Sequence, residues 1–97
     1  MIKMHVDWSD WSQCQIAAID TMTDIMAGAC TFTTSGRYMM LTDLFTDDAW
    51  EKRGIEMRML RRAKKIARVN GYALVAAEKL RKENWHIYID RQKIKYA

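Results

Sequence analysis

Arg58, Arg61, Lys65 and Arg68 recur at spacings of three and four, which on a helix puts them in one stripe of about 15 Å. A guanidinium presents a fork of donors suited to phosphate oxygens, and such a stripe can follow one nucleic-acid strand or lie across a groove. Lys64 shares that side of the helical wheel and Arg62 stands at its edge. Glu51 and Glu56 are the only acids in this segment after its first turn, and none occurs from Met57 to Val69. Phosphate binding is therefore the chemistry the stripe suits.

Other reactive residues form no pattern. His5 and His86 are the only histidines, far apart and with no carboxylate or thiol at a recurring catalytic spacing. Cys14 and Cys30 are not a Cys-x-x-Cys pair, so the four Cys and His residues do not spell a zinc site. Asp20 and Asp24 read as solvated charges, and no glycine-rich phosphate loop is found. Tyr88 and His86 near Lys93 or Lys95 could stack on single-stranded bases, although aromatic rings in a chain this small read first as core. The expectation is no catalytic residue, no metal, no cofactor and no enzyme.

Charge is divided along the chain. Through Trp50 seven Asp face only Lys3 and Arg37, a net of −5; from Glu51 onward fourteen basic residues face five acids, a net of +9. Such asymmetry points to a polyanionic partner. With 97 residues the chain reads as a single domain, 1–97, near the lower limit for an unaided core. Mean hydropathy of −0.34 fits neither disorder nor a membrane protein. No uncharged stretch can span a bilayer and no secretory signal opens the chain, so a cytoplasmic protein without a membrane partner is expected.

These residues need elements to position them. Ile2, Met4 and Val6 alternate with Lys3 and His5, the period of a half-buried strand. Trp11, Ala18, Ile19, Met22, Ile25, Met26 and Ala29 fit one stripe of a helix over 11–28. On that helix Cys14 and Cys30 lie about 24 Å apart, too far for a disulfide. Thr31–Thr33, the turn residues Ser35-Gly36 and Tyr38–Leu41 predict a short hairpin. Thr46-Asp47-Asp48 opens a second helix that runs to Val69, with Asn70-Gly71 closing it. Its apolar face is Ile55, Met59, Leu60, Ala63, Ile66 and Ala67. A third helix from Tyr72 to Asn84 and a hairpin over 85–96 complete the chain.

Ala67 and Gly71, with Ile66, Tyr72 and Leu80 at apolar positions, resemble the helix-turn-helix signature over Ala63–Lys82. The pattern departs at Asn70, where an apolar residue is usual, and at Leu74 and Val75, where a groove-reading helix shows polar side chains. The resemblance implies a winged-helix-like α+β fold: a three-helix core, an N-terminal strand, a small middle hairpin and a C-terminal β-hairpin acting as a wing. The function that follows is duplex DNA binding by a small transcription or replication regulator. Its contacts would be Arg58, Arg61, Arg62, Lys64, Lys65, Arg68, Lys79, Lys82, Arg91, Lys93 and Lys95. The alternative is an inhibitor or adaptor that docks on a protein partner, or on a second copy, through an acidic first helix or the apolar third one.

Overall fold

The computed structural model describes residues 1–10 and 12–97; the Trp11 assignment lies outside them. Four antiparallel strands come first: β1 (Ile2–Asp10), β2 (Gln13–Asp20), β3 (Ile25–Ser35) and β4 (Tyr38–Thr46). A 3-10 turn at Asp48–Trp50 leads to helix α1 (Ile55–Val69), which crosses to β5 (Ala73–Ala76). Another 3-10 turn at Glu78–Lys82, helix α2 (His86–Arg91) and β6 (Lys95–Tyr96) follow. All six strands form one sheet in sequence order, with β4, β5 and β6 parallel to one another.

The winged-helix expectation is overturned by this sheet. The segment predicted as a helix over 11–28 is the hairpin of β2 and β3, paired from Gln13↔Thr33 to Asp20↔Ile25. Its residues alternate as strands require: Cys14, Ile16 and Ala18 are buried while Gln13 and Gln15 are exposed. The turn between them is tightened by Asp24 at a positive φ of 62°. The third helix is instead β5 and a 3-10 turn, and the C-terminal hairpin is α2 with a two-residue edge strand. The middle hairpin turns at Gly36 and Arg37, but its strands are eleven and nine residues long.

One face of the sheet carries the core. Ile16, Phe32, Met39 and Leu41 pack with Ile55, Met59, Leu60, Ala63 and Ala67 of α1, and Leu80, Ile89 and Ile94 belong to the same buried cluster. Gly28 sits between β4 and α1: a Cβ there would lie 2.8 Å from the Phe45 carbonyl and 3.2 Å from the Met59 methyl. Cys14 pairs with Phe32 and Cys30 with Ile16, so the thiols are diagonal neighbours on adjacent strands, not separated by a helix length. Both are buried and free.

Candidate functional site: a fork in the sheet

β4 and β5 pair only over Tyr38–Leu41 and Ala73–Ala76. The cause lies in β4. Opposite Thr31 and Phe32, β4 places Asp43 and Leu41, so Thr42 is an extra residue, a bulge that bends the strand. The Thr42 hydroxyl donates to the Thr31 carbonyl at 3.2 Å and fixes it. Past this bulge β4 runs on to Thr46, while the chain after Ala76 turns into a 3-10 helix. Among the described residues no strand pairs with Thr42–Thr46 on the β5 side.

The fork opens into a cleft of about 700 Å³. Leu44, Phe45 and Thr46 line it from β4; Glu51, Lys52 and Glu56 from the entry to α1; and Lys82, Glu83, Asn84, Trp85, His86, Ile87 and Tyr88 from the start of α2. Crevices beyond the carboxyl ends of parallel strands are where open sheets bind ligands.

The entry to α1 is shaped by left-handed residues, Lys52 at φ 61° and Gly54 at φ 82°. Gly54 supplies no side-chain cap, and the first intrahelical bond runs from the Arg58 amide to the Gly54 carbonyl at 3.1 Å. The amides of Ile55, Glu56 and Met57 precede it at the positive end of a fifteen-residue helix. The Arg53 guanidinium lies 5.2 Å from the centre of the Trp50 ring and braces the loop.

Two buried oxygens in the cleft have no hydrogen-bond partner: Thr46 Oγ1 and Glu56 Oε1. Glu56 is 3% exposed. Native structures satisfy nearly all such atoms, so these two stand out in the cleft lining. On the far wall, His86 Nδ1 stands 2.9 Å from the Glu83 carbonyl oxygen. A carbonyl accepts only, so Nδ1 is the donor in this contact. Trp85 meets Tyr88 edge to face, with ring centres 5.6 Å apart.

The basic residues singled out in the sequence lie on α1 and on the elements that follow it. Arg58, Arg61, Arg62, Lys64, Lys65 and Arg68 are exposed on α1, away from the cleft lining. Arg58 donates to the Ile2 carbonyl at 3.2 Å and Lys64 to the Gln92 carbonyl at 3.0 Å. Lys79 pairs with Asp43 at 3.4 Å. Arg91 ends α2, Lys93 turns the chain at φ 57°, and Lys95 lies in β6. Of the set, only Lys82 lines the cleft. Glu56 and Thr46 were missed, although one signal was legible: Glu56 stands on the apolar side of α1, between Ile55 and Met59.

No family model matches the sequence, and no curated protein matches it. Solved structures do match in fold. A probable acetyltransferase superimposes with a TM-score of 0.76 at 15% identity, over 89% of this chain and 62% of its own. A Desulfovibrio desulfuricans protein assigned to the GNAT family of acetyltransferases gives 0.69 at 16%, over 84% and 54%. A streptothricin acetyltransferase from Bacillus anthracis, in complex with acetyl coenzyme A, gives 0.62 at 10%, over 77% and 59%. The chain has a GNAT acetyltransferase-like fold and spans less than two thirds of the length of these structures.

The expected DNA-binding regulator is thereby corrected. Leu74 and Val75, placed on a groove-reading helix, are strand residues of β5, and the fold is one shared by solved acetyltransferases. The expectation of no enzyme is corrected to a fold that solved acetyltransferases share, and a duplex DNA partner finds no support. The docking alternative fares no better, since neither the acidic first helix nor the apolar third helix exists. No helix among the described residues is long and apolar enough to cross a membrane.

Proposed function

We propose that this chain, as a single cytoplasmic domain, binds an acyl thioester in the fork and transfers its acyl group to an amine. The observation that carries the reading is the unpaired stretch of β4 beyond the Thr42 bulge, which opens directly into the cleft. An exposed strand edge offers its amides and carbonyls to any extended, amide-bearing ligand, as in strand addition. The arm that carries an acyl thioester in coenzyme A is such a ligand. The acetyltransferase-like fold supports the same assignment, and two free buried thiols suit a reducing compartment.

In this reaction class a C–N bond replaces the C–S bond, and the thiol leaves with the proton that the amine gives up. The residue placed to take that proton is His86, through Nε2, since its Nδ1 faces the Glu83 carbonyl. Trp85 and Tyr88 wall the cleft beside it and help exclude water.

The diphosphate of coenzyme A fits less well than its arm. The first turn of α1 would hold an anion by its amides, yet Glu56 places a buried carboxylate in that turn, and Glu51 and Glu83 also line the cleft against Lys52 and Lys82. No step is assigned to that group.

Thiol release from S-acetyl-pantetheine and acetyl coenzyme A, measured with a panel of primary amines, tests the reading. Amine-dependent release is expected, and His86→Ala should lower kcat by roughly 10²-fold without weakening thioester binding. Failure of both thioesters to bind or react would overturn it.

A further inference from the structure

Resting on the thioester reading, we propose that Glu56 takes the place of the anion at the α1 N-terminus. The fork then receives the amide-bearing arm of an acyl thioester and turns away a diphosphate head. The preferred donor class is an acyl thioester on a pantetheine-type arm without a nucleotide diphosphate.

Three observations converge on it. The first is position: Glu56 is the second residue of a fifteen-residue helix, where the dipole favours one negative charge. Its own carboxylate supplies that charge. The second is burial: Glu56 is 3% exposed, so little water lies between it and a second anion to screen their repulsion. Apart from its chain neighbours, no atom stands within 4 Å of where a Cβ on Gly54, the residue before the helix, would lie, so it is the Glu56 carboxylate and not a crowded backbone that guards the turn.

The third is the pair of orphaned acceptors. Glu56 Oε1 and Thr46 Oγ1 are both buried, both without partners and both in this cleft. A carboxylate oxygen accepts only, and a phosphate oxygen has no proton to give at neutral pH. A diphosphate would leave Glu56 Oε1 unsatisfied and add repulsion. The N–H groups of a pantetheine arm satisfy Glu56 Oε1, and Thr46 can accept from a second one or donate to an arm carbonyl.

Titration calorimetry on the wild-type chain and on Glu56→Ala and Glu56→Gln, with pantetheine and coenzyme A as ligands, tests this. Wild type should bind pantetheine at least as tightly as coenzyme A. Both variants should gain affinity for coenzyme A by roughly tenfold or more, since a charge beside the diphosphate has gone. Glu56→Gln keeps the shape of the side chain, so a gain shared by both variants does not stem from a collapsed turn. Circular dichroism confirms the fold of each.

Tighter binding of coenzyme A than of pantetheine by wild type would overturn the inference while leaving the thioester reading standing. An unchanged ligand preference in both variants would do the same. Absence of binding by either ligand to all three proteins would remove the thioester reading, and the inference with it.

Discussion

The amide of Ala77 donates to the carbonyl of Leu41 at 2.8 Å, one residue past the final β4–β5 pair of Leu41 and Ala76. Beyond this bond the two segments part around the cleft, and the surface ion pair of Lys79 with Asp43 reaches across. A bulge of one residue, Thr42, thus marks where the sheet gives way to the cleft.

Glu56 should cost stability in the empty protein. Its buried Oε1 has lost water and gained no partner, a penalty of roughly 1–3 kcal/mol. Glu56→Leu should therefore raise the urea midpoint without changing the slope of the transition. A lowered midpoint would show that the carboxylate has a partner that stabilises the native state.

At Gly28 the expected change has the opposite sign. A methyl group there meets the Phe45 carbonyl at 2.8 Å, and backbone cannot swing aside as the Met59 side chain can. Gly28→Ala should destabilise by about 1–3 kcal/mol. Met59→Ala in the same chain removes only the flexible neighbour, so it should not rescue the loss.

The thiols should be inert in the native state and reactive on unfolding. Burial, with the charge of Asp7 adding to it, pushes Cys14 up to about 11, and burial drives Cys30 higher still. The folded state thus keeps protons that the unfolded state releases above about pH 8.5. Stability is fully present below that pH and falls above it, by roughly 1.4 kcal/mol per unit for each thiol. Iodoacetamide labelling at pH 8 with and without urea, and urea melts from pH 8 to 10.5, check both statements.

Acid should act through the β2–β3 turn. The Thr23 hydroxyl donates to Asp20 Oδ2 at 2.7 Å and holds that carboxyl below the ordinary range. Its contribution is present above the ordinary carboxylate pKa and is lost as pH falls below about 4. Thr23→Val should flatten the acid limb of the stability profile and lower stability at pH 7, as measured by urea melts at pH 7 and pH 3.

Helix α1 was legible in the sequence because its contrast is strong. Ile55, Met59, Leu60, Ala63 and Ala67 are buried as the wheel predicts, with Arg58, Arg61, Lys64, Lys65 and Arg68 outside. Its start was not, since Asp47 caps only a 3-10 turn, accepting from the Ala49 amide at 3.0 Å. The β2–β3 hairpin was hidden by coincidence. Ala18, Met22, Ile25, Met26 and Ala29 fall at helical spacings, and the turn between the strands contains no Gly, Pro or Asn to break the pattern. The true alternation of Cys14, Ile16 and Ala18 was shorter and was masked by buried Ala17 on the opposite face.

β5 illustrates a different limit. Ala73–Ala76 is a short, wholly apolar run next to a helix, and such a run cannot be told from more helix by periodicity. The cleft was beyond reach for the same reason: it joins residues 44–46, 51–56 and 82–88, and only the pairing of β4 with β5 brings them together. The basic stripe drew the eye because its residues are neighbours in sequence, whereas the fork is assembled from three separated stretches.

The sheet order also sets the order of assembly. β1 to β4 are joined by short turns, so each strand meets its partner at little entropic cost. β5 must wait for residues 47–72 to form α1 and cross over, and β6, only two residues long, can dock only on β5. The meander should therefore be the early, slowly exchanging part of the molecule, with β5 and β6 the last to arrive and the first to fray. A ligand that spans the fork would tie the late half of the protein to the early one, so binding and completion of folding would be one event.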